Sequence, residues 1–221
     1  MGKVIILKET TEKPITLIGN RAGICYGSDV SDDSKNYKRG MDCIESNHGR
    51  TLEFPDAHMI LDGYSARVIR EYYTHIGCLP SRLQSSTRYI DYSDFTYVTP
   101  PSIKENYEAN IIYKDLMDAI SYSLIELNRL NIPKEDSALG LPLGMTTKIV
   151  DKRNLRNLID MSHSRMCKRA YWEFRELFND IATALSEYSD EWAWIVGNLF
   201  MPKCKYFGKC TEKNPCTKGD K

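Results

Sequence analysis

The sequence predicts an α+β domain with a modest, mostly antiparallel sheet and several long helices. Three observations predict it. The chain has 221 residues, 42% hydrophobic and 27% charged, enough to bury one core, and it contains no repeats or low-complexity tracts. Short runs rich in Val, Ile and aromatic residues are bounded by turn formers, as strands are. Longer runs, above all 103–131, place apolar residues at helical intervals. The expected organisation is a single domain over 1–200 followed by a Cys-containing tail over 201–221.

Taken in order, "KVIILKETTEKPITLIG" predicts a strand, a polar turn and a second short strand. Residues 31–40, "SDDSKNYKRG", read as a solvated loop or the start of a helix. "AHMILDG" (57–63) predicts a strand. "YSARVIREYYTH" (64–75) predicts a helix through Val68, Ile69, Tyr72 and Tyr73, ended by Gly77 and Pro80. "RYIDYSDFTYVTPP" has the composition of an extended segment. In 103–131 the residues Ile111, Ile112, Leu116, Ile120, Leu124, Leu127 and Leu130 keep helical spacing, with Ser102 as N-cap and Pro133 beyond the end. "LPLGMTTKIVDKRNLRNLIDM" passes through a loop into another helix, and 168–188 forms a third.

Lys plus Arg and Asp plus Glu both number 30, so no global positive field gathers a nucleic-acid polymer. A phosphate ligand must be held by locally clustered cations, which favours a small molecule. The N-terminal apolar run is only four residues and nothing downstream reaches membrane-spanning length, so a cytoplasmic protein with no membrane partner is expected. Seven Cys, an odd number, suit reduced thiols better than a disulfide framework. The glycine-rich dinucleotide fingerprint, the P-loop, H-E-x-x-H and the serine-hydrolase elbow are all absent.

Two segments carry candidate chemistry. "THIGCLPSRLQSSTRY" (74–89) offers the planar donor fork of Arg88 beside the hydroxyls of Ser85, Ser86 and Thr87, a set able to surround a phosphate. On a strand, Gln84, Ser86 and Arg88 would share one face; the alternative is a polar face in water. In "NLRNLIDMSHSR", a continuous helix would align Asn154, Leu158, Met161 and Arg165 on one stripe, polar at both ends; the alternative is a surface helix with snorkelling arginines. Arg153, Arg156 and Arg169 read as surface charges or salt-bridge partners.

His48, before Gly49 and Arg50, sits where backbone N–H groups and a cation could meet an anion, or simply in a turn. His75 reads as a helix C-cap, and His58 and His163 as ordinary histidines. Cys78 has no evident base. Cys204, Cys210 and Cys216, with five residues between successive members, form either a zinc or redox clasp or a free-thiol tail; no metal is assigned.

Several separated stretches together resemble the flavin-dependent thymidylate synthases. That family carries R-H-R-x-x-S-x-N/S-E/Q-x-S-x-R-Y, and here "THI" is followed by "SRLQSSTRY", matching at His75, Ser81, Gln84, Ser86, Arg88 and Tyr89. Thr74 and Ile76 replace both arginines. "NHGRTLEF" keeps His48 and Glu53 of an upstream pattern. "LPLGMTTKIVDKRNLRNLIDMSHSRMCKRAYWEFRE" resembles a downstream one, with Asn154, Arg156, Arg165, Trp172, Glu173 and Arg175 in order. The matching stretches span roughly residues 20–180.

The resemblance implies the flavin-dependent thymidylate synthase fold and a homotetramer with FAD and dUMP bound where subunits meet. It implies NADPH as reductant and methylenetetrahydrofolate as carbon donor, with a methyl group delivered to C5 of the uracil ring. It places Glu71, Thr74, Gln84, Ser85, Ser86, Thr87, Arg88 and Arg165 at the nucleotide, with Arg165 catalytic. It places His48, Arg50, Thr74, His75, Ile76, Gln84, Asn154, Arg156 and Asp160 at the flavin. Uracil without a thiolate adduct still needs activation at C5, and a guanidinium beside its polar edge is a suitable electrostatic device. Glu71, Asp160 and Ala138 depart from the family's Gln, Asn and Arg. Arg50, Arg67 or Arg82 is expected to restore the positive charge lost at Thr74 and Ile76. Two alternatives keep the same fold: a dUMP hydroxymethylase, in which water replaces hydride, and a nucleotide-binding homologue without catalysis.

Overall fold

The computed structural model describes residues 2–216, so the last five residues of the 201–221 tail lie outside the described residues. The chain opens with β1 (Lys3–Ile6) and then forms α1 (Pro14–Cys25), where the sequence had suggested a second strand. Pro14 suits a first helical turn, and the N–H groups of Ile15 and Thr16 are satisfied by the Glu191 carboxylate at 2.6 and 3.0 Å. The β-branched residues of "PITLIG" therefore pack as one face of a helix.

α2 (Asp33–Glu45) follows, capped by Asp32, whose side chain accepts from the N–H groups of Ser34 and Lys35. α1 and α2 meet backbone to backbone. A Cβ built on Gly19 would lie 1.8 Å from the Asn36 carbonyl oxygen, and one on Gly40 would lie 2.0 Å from that of Ile15.

β2 (Asp56–Ser65) leads into α3 (Ala66–Tyr72), with Ser65 as cap, close to the expected strand and helix. β3 (Ser81–Gln84) is only four residues long. Ser85 to Arg88 lie beyond it, so the strand-face alignment of Gln84, Ser86 and Arg88 does not form; a turn does, with Ile90 N–H donating to the Ser86 carbonyl. The helix expected over 103–131 is two: α4 (Pro101–Lys104) and α5 (Tyr107–Arg129). Asn106, not Ser102, is the cap of α5, its side chain accepting from Ala109 N–H at 3.0 Å.

After α6 (Lys134–Ser137) comes β4 (Thr146–Asn154), a strand where a loop was expected. As far as Arg153 its residues alternate, with Thr147, Ile149, Asp151 and Arg153 inward. Two of those four are charged, which hides the apolar alternation that marks a half-buried strand. α7 (Leu155–Arg165), α8 (Trp172–Tyr188), α9 (Asp190–Leu199) and the single turn α10 (Lys203–Tyr206) complete the chain. The sheet is antiparallel with strand order β1-β2-β4-β3.

Two compact units emerge, and the division falls within β2 and β4. One comprises Leu61–Thr74 and Leu83–Ile149 with the N-terminal residues through Lys3; the other comprises Val4–Ile60, His75–Arg82 and the chain from Val150 on. The second holds the larger core, where Phe174, Leu177, Phe178, Ile181 and Leu185 of α8 are sealed from solvent with Ile15, Ile18 and Trp192. Burying each such side chain is worth about 1.5–3 kcal/mol. Among the described residues no helix is long and apolar enough to cross a membrane.

Candidate active site

In the larger unit, β4 runs straight into α7, and Asn154 is the hinge between them. Its side-chain Oδ1 accepts from Asn157 N–H at 3.0 Å, so Asn154 is a helix cap and not a member of a helical stripe. Leu158 and Met161 are fully buried, while Arg165 is half-buried at the last residue of α7.

Arg165 donates from Nε to His75 Nε2 over 2.8 Å, and its guanidinium lies 4.3 Å over the Phe174 ring. The His75 ring meets the edge of the same phenyl ring, with centroids 5.7 Å apart at 84°. Because Nε2 accepts a hydrogen bond, the proton of neutral His75 sits on Nδ1. Burial pushes the imidazole down to about 4, with the positive charges of Arg165 and then Arg153 adding to the effect. His75 is thus a neutral acceptor that orients a permanent cation, not the positively charged helix cap the sequence suggested.

Arg153, read from the sequence as a surface charge, is buried and 1% exposed. It is held by a bidentate pair with Asp151, Nε to Oδ2 at 2.6 Å and the second fork to Oδ1 at 2.9 Å. Its remaining arm donates to Asn157 Oδ1 at 2.6 Å, and Asn157 Nδ2 donates to the Gly77 carbonyl at 2.7 Å. The buried pair thereby reaches the loop that carries His75. In that loop Cys78 and Leu79 adopt positive φ of 57° and 50°, which non-glycine residues seldom adopt without support.

Arg156 donates to Glu53 at 2.6 Å, and its guanidinium carbon is 3.7 Å from where a Cβ on Gly49 would stand. This brings Arg156 to the short turn that carries exposed His48 and Arg50. In the loop that carries His75, Ile76 and Leu79 are exposed apolar residues, 66% and 90% accessible. Asp160 is exposed on α7 and its charge acts on His163. Guanidinium and imidazole donors beside solvent-facing apolar groups are the chemistry that a flavin with its phosphates requires.

The smaller unit holds the other candidates. Gln84 Nε2 donates to Thr147 Oγ1 at 3.3 Å, and Ser86 Oγ accepts from Arg88 N–H at 3.2 Å. Ser85 hydrogen-bonds Tyr92. Arg88 is exposed and paired with Glu135 at 2.6 Å, so a phosphate would meet a guanidinium that already has a carboxylate partner. Thr74 Oγ1 donates to the Glu71 carbonyl at 2.7 Å. Thr87 lines a cavity of about 10 Å³, no larger than the room a single water needs.

Among the described residues no cluster of three or more His, Cys, Asp or Glu could hold a metal, and the cysteines Cys204, Cys210 and Cys216 are free thiols. The sequence reading missed Asp151, Asn157 and Phe174. The alternation of Thr147, Ile149 and Asp151 could have exposed the first, whereas Phe174 carries no local signal beyond its place between Glu173 and Arg175.

The family model described as thymidylate synthase complementing protein matches residues 6–189. A flavin-dependent thymidylate synthase of Nitratidesulfovibrio vulgaris is 28% identical, covering 80% of this chain and 73% of its own. That of Pyrococcus furiosus is also 28% identical, over 95% of this chain and 90% of its own. That of Clostridium tetani is 25% identical over 99% and 92%. Among solved structures, flavin-dependent thymidylate synthase ThyX from Helicobacter pylori, complexed with FAD and dUMP, superposes with a TM-score of 0.67 at 19% identity. It covers 86% of this chain and 97% of that one. This likeness shows the fold and agrees with the α+β class read from the sequence.

Proposed function

Because the chain belongs to the thymidylate synthase complementing protein family, we propose that it is a flavin-dependent thymidylate synthase converting dUMP to dTMP. The observation that carries the reading is the Arg165 guanidinium, fixed by His75 at 2.8 Å and by the face of Phe174. A fixed cation offered to the polar edge of uracil stabilises negative charge as it develops on the ring, and needs no reorganisation when it does so. No nucleophilic thiol is required. FAD, when bound, supplies the redox chemistry, with NADPH as reductant and methylenetetrahydrofolate as the carbon source.

The residues of this chain then divide the work. Neutral His75 holds Arg165 in place and keeps Nδ1–H as its own donor. His48, Arg50, Asn154 and Arg156 serve the flavin, with Ile76 offering it an apolar wall. Gln84, Ser85, Ser86 and Arg88 serve the nucleotide phosphate and sugar, with Arg88 exchanging Glu135 for phosphate. Both sets are assigned on the family signature and on the donors each residue presents.

The exposed apolar residues of α5, Ile111, Ile112, Leu116 and Ile125, are 44%, 70%, 52% and 48% accessible. Their exposure supports a homotetramer in which this helix is covered by other copies.

The test is an absorption spectrum of the purified protein, then bleaching of the bound flavin by NADPH with and without dUMP, then mass analysis of the nucleotide product. A flavin spectrum and dTMP are expected. A colourless protein that stays colourless with added FAD, or a hydroxymethylated product, overturns the proposal.

A further inference from the structure

Arg165 ends α7, and the chain returns beside that helix end after α9. Met201 N–H donates to Ser162 Oγ at 3.2 Å, and the Tyr206 ring stacks on His163 with centroids 4.4 Å apart. The two segments enclose a cleft of about 270 Å³, whereas a single water needs only about 10–15 Å³. Arg165, Arg169 and Lys203 line it, opposed by one carboxylate, Glu212. Among the described residues, Arg169 and Lys203 take part in no ion pair. His163 also lines the cleft, and its Nε2 is buried without a hydrogen-bond partner.

Cations gathered at one opening repel one another. A ligand with several anionic oxygens relieves that repulsion. Glu212 and the C-terminal end of α7 oppose this with about one and a half negative charges, less than the three cations supply. We propose that this cleft is an oxyanion subsite that seats the anionic end of a co-substrate. Both co-substrates of the reaction carry suitable groups: the phosphates of the reducing dinucleotide and the glutamate carboxylates of the folate. The co-substrate assignment rests on the function proposed above; the oxyanion site itself does not.

The cysteines provide a readout independent of turnover. Cys167, Cys204 and Cys210 line the same cleft, whereas exposed Cys25 lies on α1. Alkylation of each thiol by iodoacetamide is followed by peptide mass spectrometry, with inorganic pyrophosphate or with sodium chloride at matched ionic strength. Pyrophosphate is expected to slow alkylation of the three cleft thiols severalfold and leave Cys25 unchanged. A variant combining Arg169→Ala and Lys203→Ala, both exposed positions, is expected to lose that protection. Equal alkylation with and without pyrophosphate in the unmodified protein overturns the site.

The same double variant, assayed as holoenzyme, identifies the source of the oxyanion. A KM raised on the order of tenfold for NADPH but not for NADH assigns the dinucleotide's extra phosphate. The same rise for a polyglutamyl folate but not for its monoglutamate assigns the carboxylates. Protection by pyrophosphate with neither KM changed overturns the co-substrate role. Protection in a protein that makes no dTMP counts against the function proposed above and leaves the oxyanion site standing.

Discussion

The Nε of Arg165 and the Nε2 of His75 stand 2.8 Å apart, with the guanidinium as donor and a neutral imidazole as acceptor. The arrangement is stable only while His75 is unprotonated, because a second proton on the ring would face a permanent cation. Burial sets this condition first, and Arg165 and Arg153 reinforce it.

A pH dependence follows. His75 ionises at about 4 in the folded chain against an ordinary 6.5, so between those values the unfolded chain binds the additional proton. The His75 contribution to folded stability should therefore decline as pH falls from 6.5 towards 4 and level off below that. An imidazole resonance in a histidine-edited NMR titration that moves only near pH 4, and is absent in His75→Asn, is the expected signature. A midpoint at 6 or above would show that the bond to Arg165 does not hold the ring neutral.

Arg165→Ala should lower kcat by roughly 10²–10³, the usual cost of removing one electrostatic donor aimed at developing charge, while the circular dichroism spectrum is unchanged. Arg165→Lys should recover little, because an ammonium cannot lie flat on Phe174 with a donor turned to His75. Turnover within threefold of the unmodified enzyme in either variant would remove Arg165 from the chemistry.

Asp151 and Arg153 are both inaccessible to solvent at their side chains. Arg153→Met alone strands a buried carboxylate and should cost about 3–5 kcal/mol in urea unfolding, whereas Asp151→Leu with Arg153→Met should recover much of that. Because the pair reaches Gly77 through Asn157, the double variant should still show a displaced His75 resonance.

Glu135→Gln frees Arg88 from an exposed ion pair worth about 0–1 kcal/mol, so dUMP should bind up to about fivefold more tightly by calorimetry. Arg88→Ala should weaken it. If dUMP binds with the same affinity in both variants, Arg88 does not contact the phosphate.

Ile112→Asp combined with Leu116→Asp puts charge on the exposed apolar face of α5. In the proposed homotetramer that face is covered, so light scattering should then report a mass below that of the unmodified protein. An unchanged mass would count against α5 as the contact.

Much of the fold was legible because local signals agreed with tertiary placement. β2 announced itself through the apolar run Met59–Leu61, and α3 through Val68, Ile69 and Tyr72 with Gly77 and Pro80 beyond its end. β4 did not, because Asp151 and Arg153 occupy inward positions where a strand normally shows apolar residues, and each is tolerable there only because the other is present. α1 was hidden for a different reason: Ile15, Thr16, Leu17 and Ile18 have strand-like shapes, and the carboxylate that caps the helix arrives from Glu191, far along the chain. At the proposed site, the signature named Arg165 and His75. Their hydrogen bond, and the buried relay behind it, depend on which residues the fold turns inward, and no spacing in the chain encodes that.

The contact between Gly19 of α1 and Gly40 of α2 has a consequence for how the protein can vary. With the Asn36 and Ile15 carbonyl oxygens occupying the space a methyl group would need, alanine at either position must pry the helices apart. Gly197, with open space around it, should accept the same change freely. A saturation library scored by yield of intact protein should therefore record two sites closed to every replacement, and the two helices should drift through sequence space only as an interlocked couple.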